Sequence, residues 1–288
     1  MASQGSFKYV AGRLAKIPQA VLALTLIGLI CLVAIASALQ LPLSPYAYDQ
    51  TSTLYLAGPS AQHWMGTDEL GRDLCARVIY GAQLSIAIGL TTAGVAFVIG
   101  TVYGAIAGYC GGKIDTLMMR GVDLAYSLPD LLVMILIGVL IGRGTFGILL
   151  ALGLVSWMGT ARLTRAQFLQ LKNEEFVEAA RAQGQDHLSI IWKHLFPNAL
   201  GPIIVALTFT VPSAILSEST LSFIGLGLSP PACSWGTLAS DGWRSLRAHP
   251  HLIFFPSLFI FATVLSFNFL GDGLRDALDP RTRLSKLK

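Results

Sequence analysis

The residues of this chain that could perform chemistry are few and far apart. Its four cysteines have neither the spacing of a redox motif nor a neighbouring metal ligand. The cysteines are Cys31, Cys75, Cys110 and Cys233. His249 and His251 flank a proline, but two histidines need further ligands to hold a metal ion. We therefore expect no metal site.

The groups required for nucleotide or nucleic-acid chemistry are also missing from the sequence. There is no G-x4-G-K-[ST] phosphate-binding loop, so we expect the chain to bind no nucleotide. The formal net charge is only +4 and the basic residues form no single patch, which argues against nucleic-acid binding. An intramembrane hydrolase would need a base beside a nucleophile, yet every histidine lies outside the apolar segments or at their edges.

Long uncharged segments dominate the chain. Five of them contain no Asp, Glu, Lys or Arg, namely 17–48, 78–112, 144–161, 194–217 and 252–271. A helix needs roughly 20 mainly apolar residues to cross a bilayer core about 30 Å thick. A sixth, less uniform candidate at 122–142 carries only Asp123 and Asp130. We predict an all-α membrane protein with six transmembrane helices.

These spans are predicted near 19–39, 84–107, 122–142, 147–161, 199–217 and 252–271. They form a membrane domain of residues 19–271, flanked by an N-terminal segment of residues 1–18 and a tail of residues 272–288. The basic start and the stretch Ala36-Ser37-Ala38 also resemble a cleavable signal peptide. The uncharged run is longer than a signal sequence requires, which favours a retained first helix.

Lysine and arginine are distributed unequally between alternate loops. Fifteen lie in the N-terminal segment, in 108–121, in 162–198 and in the tail, against five in the other loops. By the positive-inside rule, both termini and loop 162–198 are cytoplasmic. Cys75 and Cys233 then fall on the outer side and could pair, although nothing in the sequence requires a disulfide.

The cytoplasmic loop 162–198 is longer than a connection between two spans needs. Asn173 is expected to cap a helix that Gly184 ends, because glycine adopts the left-handed conformation without steric cost. Asp186 can cap a second helix. The apolar stripe of that helix would consist of Leu188, Ile191 and Leu195. Such an element can transmit force from a soluble partner, and an interfacial helix pair without a partner is the alternative.

The same loop resembles a known motif. Glu178-Ala179-Ala180, then Gly184 after three residues and Pro197 thirteen positions later, is similar to the E-A-A-x3-G-x9-I-x-L-P loop of ABC-importer permeases. His194 and Phe196 stand where Ile and Leu are usual. A lone E-A-A-x3-G would be a weak signal, because these residue types are common.

Four further stretches extend the resemblance over nearly the whole chain, to the C-type permeases of dipeptide, oligopeptide and nickel importers. They are His63–Asp73, Leu221–Gly227 with Pro230-Pro231 and Ser234-Trp235-Gly236, Asn198-Ala199-Leu200, and Leu270–Asp276 leading into Asp279-Pro280-Arg281. The resemblance implies the type I ABC-importer permease fold, with a cytoplasmic coupling-helix loop.

The resemblance implies that the chain is a subunit in the bacterial plasma membrane and that it works only as part of a complex. Its expected partners are a second homologous permease, two cytoplasmic ATPase subunits that hold ATP and Mg²⁺, an extracytoplasmic solute-binding protein, and membrane lipid. The implied ATPase-coupling residues are Glu178, Ala179, Ala180, Gly184 and Pro197. Peptides, nickel and glutathione all stay open as the transported solute.

Candidates for the translocation path and for outer contacts are fewer. Asp130 either faces the path, where it could bind the amino terminus of a peptide, or pairs with a neighbouring helix, and Asn268 is a weaker candidate of the same kind. The candidate binding-protein contacts are Asp68, Arg72, Asp73 and Glu218. The first three could instead brace the outer loop, and Glu218 could cap a following short helix. Trp235 and Trp243 are predicted to anchor the outer loop at the membrane interface.

A secondary transporter working alone is the main alternative function. Such a protein needs coupling-ion residues deep in several spans. Only Asp130 and Asn268 are available here, which favours the importer subunit.

Overall fold

The structure is a computed structural model that describes residues 7–278, and this part of the chain is almost entirely helical. Its helices are α1 (Phe7–Leu14), α2 (Pro18–Ala38), α3 (Leu74–Cys110), α4 (Gly112–Tyr126), α5 (Asp130–Ile141), α6 (Thr145–Leu171), α7 (Glu175–Ala182), α8 (His187–Ile190), α9 (Phe196–Phe223), α10 (Trp235–Arg244) and α11 (His251–Leu278). A π-helical turn over Ile191–Leu195 joins α8 to α9.

The membrane spans follow the predicted order. Helices α2, α3, α6 and α11 are each long and apolar enough to cross a bilayer, and so is the run His187–Phe223 that ends in α9. Helices α4 and α5 pass the same test only as a pair, which is bent by 77°. The predicted all-α fold is confirmed, with five candidate spans, or six when this bent pair counts as the third span.

Two spans are longer than predicted. Helix α3 begins at Leu74 rather than near residue 84, and α6 continues to Leu171 rather than ending near 161. The prediction limited these spans to uncharged residues, whereas α6 contains Arg165, whose Nε lies 2.5 Å from Asp115 Oδ1. Because a paired charge can continue inside a helix, α6 extends past residue 162 and the loop that follows it begins at Lys172.

The third span is broken where proline interrupts it. Pro129 has no amide hydrogen to donate and disfavours helical backbone at Leu128. Helix α4 therefore ends at Tyr126 and α5 begins at Asp130. The span predicted at 122–142 thus corresponds to parts of two helices, because α4 starts at Gly112 and turns into α5 at the break.

Helices α3 and α6 pack through a glycine face. Gly100, Gly104 and Gly108 recur every four residues of α3 and so lie on one side of the helix. A Cβ atom on Gly100 would lie 2.6 Å from the Trp157 carbonyl oxygen, and one on Gly108 would lie 2.7 Å from that of Arg165. Because only glycine permits this backbone approach, the two helices form the closely packed centre of the molecule.

The loop before α11, predicted to lie on the outer side, is inserted between the membrane helices. Trp235, at the start of α10, is fully buried, and its Nε1 donates to the Val78 carbonyl oxygen at 2.9 Å. Its backbone amide donates to Ser85 Oγ at 3.0 Å. Gly81 leaves room for the indole, since a Cβ there would lie 3.2 Å from the ring. The predicted interfacial position is therefore wrong for Trp235, while Trp243 is exposed.

The described ends of the chain lie side by side. Arg13 Nη1 donates to the Ala277 carbonyl oxygen at 2.8 Å. Leu14, Ala20 and Ala277 form a small buried cluster between α1, α2 and α11. Helix α11 thus continues into the predicted tail as far as Leu278, and the motif Asp279-Pro280-Arg281 lies outside the described residues.

Candidate coupling surface and translocation path

The predicted helix, corner and short helix occur after α6, and we call residues 172–197 the elbow. Helix α7 begins at Glu175, with Glu174 rather than Asn173 at its N-cap. The Asn173 side chain instead donates to the Leu169 carbonyl oxygen at 3.2 Å, at the end of α6. The predicted capping role of Asn173 is therefore wrong, because Asn173 belongs to the end of the preceding helix.

Helix α7 has an inner and an outer face. Val177 and Ala180 are buried, three residues apart, against α6 and α9. Glu178 and Ala179 are exposed. The predicted coupling residues are thus divided between the two faces, because Ala180 packs against its own chain and a direct contact with a partner does not fit its position.

The corner of the elbow forms as predicted. Gly184 has a φ of +72° and is exposed. The Gln185 amide donates to the Ala180 carbonyl oxygen at 3.1 Å, and the Gly184 amide donates to that of Arg181 at 2.9 Å. This pair of bonds is the Schellman arrangement, which satisfies the last carbonyl groups of a helix.

The second arm of the elbow is shorter and less regular than predicted. Asp186 caps α8 by accepting the Ser189 amide at 3.2 Å, as predicted. Leu188 is 66% exposed, however, and the fully buried residues are Ile190 and Leu195. The predicted stripe through Leu188 is wrong because the π-helical turn changes the register after α8.

The elbow is fixed to the membrane helices by polar and apolar contacts. Tyr109 Oη lies 2.6 Å from His187 Nδ1, and Lys172 Nζ donates to the Gly108 carbonyl oxygen at 2.9 Å, so the end of α3 holds both arms. One buried cluster joins α6, the elbow and α9. Its members are Phe168, Val177, Ala180, Ile190, Leu195, Ala199 and Ile203. Pro197 is exposed in the first turn of α9.

The two candidates for the translocation path have different surroundings. Asp130 is the first residue of α5, beside the break, and its exposed side chain has no hydrogen-bond or ion-pair partner within residues 7–278. Asn268 Nδ2 donates to the Val264 carbonyl oxygen of its own helix at 2.8 Å, rather than to a neighbouring helix. A role of Asp130 in the path stays a prediction.

The charged residues before α3 brace the outer loop. Asp68 Oδ2 accepts from Arg72 Nε at 2.7 Å, and its Oδ1 accepts from the amides of Leu70 and Arg72 at 2.9 Å. Arg77 Nε lies 3.4 Å from the same carboxylate. These contacts fit the bracing alternative for Asp68 and Arg72, which are half-buried.

Asp73 belongs to the same brace and caps α3. Its Oδ2 accepts from the Ala76 amide at 2.7 Å, and its Oδ1 lies 2.8 Å from His63 Nδ1. Tyr46 stacks on the His63 ring at 4.6 Å. Because Asp73 is only 3% exposed, a direct contact with a binding protein does not fit its position.

Glu218 is a buried acceptor between α9 and α10. Its Oε1 accepts from Ser222 Oγ at 2.8 Å and from Ser234 Oγ at 2.6 Å. Ser234 is the N-cap of α10, so Glu218 supports the cap of the following short helix. Because Glu218 is 0% exposed, a direct contact with a binding protein does not fit its position, whereas the capping alternative does.

The sulfur and histidine groups form no cluster. Within residues 7–278, no three His, Cys, Asp or Glu side chains are arranged to hold a metal ion. All four cysteines are free thiols, so Cys75 and Cys233 do not pair. Burial raises the pKa of the Cys233 thiol to about 11.

Two ion pairs between α4 and α6 were not predicted from the sequence. Arg165 makes a two-point contact with Asp115, and Arg162 donates to Asp123 Oδ1 at 2.6 Å. The partners are 50 and 39 residues apart. No local pattern links residues at such distances, although three of the charges lie in predicted cytoplasmic loops and Asp123 lies at the start of a predicted span.

Comparisons with known proteins agree with this architecture. A family model described as "Binding-protein-dependent transport system inner membrane component" matches residues 100–284. The dipeptide transport system permease protein DppC of Bacillus subtilis (strain 168) is 50% identical over 243 residues, which are 84% of this chain and 76% of that protein. The oligopeptide transport system permease protein OppC of the same organism is 45% identical over 263 residues, 90% of this chain and 86% of that protein.

A solved structure shares the fold. The chain resembles the inward-facing MetNI methionine ABC transporter with a TM-score of 0.60 and 18% sequence identity. The match covers 72% of this chain and 98% of that chain. At this identity the likeness concerns the fold alone, and it confirms the predicted type I importer fold.

Proposed function

The chain belongs to the family of binding-protein-dependent transport system inner membrane components, and from that premise we propose that it is a permease subunit of an ATP-binding-cassette importer for dipeptides or oligopeptides. A second permease completes the translocation path. Two cytoplasmic ATPase subunits bind and hydrolyse ATP with Mg²⁺, and a solute-binding protein delivers the solute from outside. This chain binds no nucleotide itself.

The observation that carries the proposal is the outer face of the elbow. It presents Glu178 and Ala179 to solvent, while the inner face is packed into the buried cluster. A small side chain next to a carboxylate permits close approach of a partner and offers an acceptor for a charged hydrogen bond. The elbow is therefore a rigid projection that a soluble subunit can hold.

Movement of the elbow reaches the membrane helices directly. Helix α6 enters α7 after the three residues 172–174, and the π-helical turn continues α8 into α9 without a gap. Displacement of the elbow by an ATPase subunit must therefore move the cytoplasmic ends of α6 and α9. A rigid-body movement of this kind is how two packed states can exchange access between the two sides of a membrane.

The broken third span marks the side that faces the path and the second permease. Helix α5 buries only Met134 and Gly138, and its other residues are half-buried or exposed. A helix break with an unpaired Asp130 cannot face hydrocarbon, so protein or water must cover it. The uncharged helix α2, with exposed leucines along its length, is suited to lipid instead.

Peptides are the solute class that the relatives support. Their names refer to dipeptide and oligopeptide transport, and a further relative from Pectobacterium atrosepticum is named a glutathione transport system permease protein. Glutathione is itself a modified tripeptide, so a path for short peptides covers all three. None of these names supports a secondary transporter working alone.

Reconstitution tests this function. The chain is combined with a second permease, ATPase subunits and a binding protein in proteoliposomes, and uptake of a labelled dipeptide is measured with and without ATP. We expect uptake only with ATP. The variant Glu178→Lys combined with Ala179→Trp should lose the ATPase subunits on co-purification, and uptake should fall by roughly tenfold or more because the contact face is blocked.

Lys16→Glu is the matched control, since this exposed charge lies on the predicted cytoplasmic side but outside the elbow. It should leave assembly and uptake unchanged. Uptake that continues without any ATPase subunit, or that ignores ATP depletion, would overturn the importer assignment.

A further inference from the structure

Helix α4 has few buried contacts of its own. Only Asp115 and Val122 are buried among its fifteen residues. Yet α4 leads through the break into α5, which carries Asp130. The position of α4 therefore decides where the break lies. The contacts that hold α4 in place control the position of the break.

Tyr103 Oη of α3 donates to the Met118 carbonyl oxygen of α4 at 2.8 Å, and a two-point ion pair joins α4 to α6. Arg165 Nε donates to Asp115 Oδ1 at 2.5 Å, and Arg165 Nη2 donates to Asp115 Oδ2 at 2.6 Å. The Asp115 side chain is 11% exposed and that of Arg165 is 34% exposed, so water screens the pair only in part. Paired hydrogen bonds between a guanidinium and a carboxylate also fix orientation.

A second, more exposed ion pair lies on the same side of α6. Arg162 Nη2 donates to Asp123 Oδ1 at 2.6 Å, and the Arg162 guanidinium lies 4.2 Å from the centre of the Tyr126 ring. Asp123 and Tyr126 belong to the last turn before the break. The two arginines, three residues apart on α6, thus hold both the beginning and the end of α4.

Helix α6 is the helix that the elbow moves. It ends at Leu171, three residues before α7, and Lys172 at its end is bonded to Gly108 of α3. We propose that Arg165–Asp115, supported by Arg162–Asp123, is a coupling tether that makes the broken third span follow the elbow. Arg165 and Asp115 are positioning residues, because they act on the path through α4 and do not touch the solute.

This inference rests on the proposed importer function, and the coupling ratio tests it separately. In the complete reconstituted complex, dipeptide uptake and ATP hydrolysis are measured together. Arg165→Asp and Asp115→Arg should each lower the peptide transported per ATP by roughly tenfold, because each places like charges side by side. ATP hydrolysis should stay within about twofold of the wild type, since the outer face of the elbow is intact.

The double variant Arg165→Asp with Asp115→Arg restores opposite charges and should recover most of the coupling ratio. Arg120→Asp is the matched control, because Arg120 is an exposed residue of α4 with no ion-pair partner between residues 7 and 278. It should leave the ratio unchanged. A purely structural role would lower assembly, uptake and hydrolysis together without changing the ratio.

The tether is overturned if the single reversals keep the wild-type ratio, or if an assembled double variant fails to recover it. Where charge reversal prevents assembly, Asp115→Asn and Arg165→Gln replace it with the same readout. An unchanged ratio in both neutral variants would also overturn the proposal. A wild-type complex without ATP-dependent uptake would instead count against the proposed function.

Discussion

For single residues, burial distinguishes side chains that stabilise the fold from side chains that are available to contact a partner. Glu218, Asp73 and Ala180 all carry sequence features that suggest contact with a partner, and all three are buried in their own chain. The sequence could not decide between contact and support, because residue type alone does not show which side chains are buried. Glu218, for example, meets Ser234, which is 16 residues further along the chain.

Glu218→Ala should destabilise the outer region. The change removes a buried side chain and leaves the hydroxyls of Ser222 and Ser234 without their acceptor, which should cost about 2–5 kcal/mol. Glu218→Gln keeps an acceptor oxygen and should cost less. Thermal unfolding of the purified protein in detergent measures both changes. Exposed Glu175→Ala serves as the control, and equal unfolding temperatures for Glu218→Ala and Glu175→Ala would contradict this account.

Cys233 should resist alkylation in the folded protein. Its thiol is 1% exposed and burial raises its pKa to about 11, so at pH 8 it is protonated and shielded. Reactivity depends on the thiolate and therefore should increase only as pH approaches 11. Exposed Cys110 supplies the internal control. Peptide mass spectrometry after iodoacetamide treatment measures the extent of alkylation at each cysteine. Rapid labelling of Cys233 at pH 8 would show that its thiol is not buried.

At the scale of helices, the sequence predicted those helix ends that depend only on residues close by in the chain. Gly184 ends α7 and Asp186 caps α8, as expected from residue type alone. The ends of α3 and α6 were predicted less well, because Arg77 and Arg165 find partners in other segments. The bend of the third span lies at Pro129, whose residue type alone indicates an interrupted helix.

Gly104→Ala should disturb the packing of α3 on α6. A Cβ at this position would lie 2.7 Å from the Thr164 Cβ and 2.9 Å from the Arg165 amide nitrogen, so the helices must separate. Gly94→Ala on the same helix meets nothing within 4 Å and should be neutral or slightly stabilising, since alanine favours helix. Unfolding temperatures and folded yield compare the two. Similar values for both variants would mean that the glycine face is not in close contact.

The whole molecule has both of its described ends on one side of the membrane. Arg13 bonds to the backbone of Ala277, so α1 and the end of α11 are neighbours. The excess of basic residues predicts that this is the cytoplasmic side, and that assignment stays a prediction. The six-span fold was predictable from hydrophobicity, whereas the inserted outer helix α10 depends on contacts of Trp235 with α3 that no hydropathy pattern contains.

Cysteine accessibility tests the orientation in intact bacterial cells. Gln183→Cys, in the elbow, should react with a membrane-impermeant maleimide only after the cells are permeabilised. Gln50→Cys, in the outer segment before α3, should react without permeabilisation. Both positions are exposed, so access and not burial decides the result. The reverse pattern would place the elbow outside the cell and would contradict the predicted topology.

The two faces of α7 also separate the residues that hold the elbow in place from the residues that are available to a partner. Its inner face is fixed by the chain's own core, through Val177 and Ala180, whereas Glu178 and Ala179 on the outer face have no structural duty in this chain. The outward residues can therefore be replaced by those of another subunit without redesigning the helices beneath them. Chimeric proteins of this type would couple the same translocation path to a different ATPase subunit.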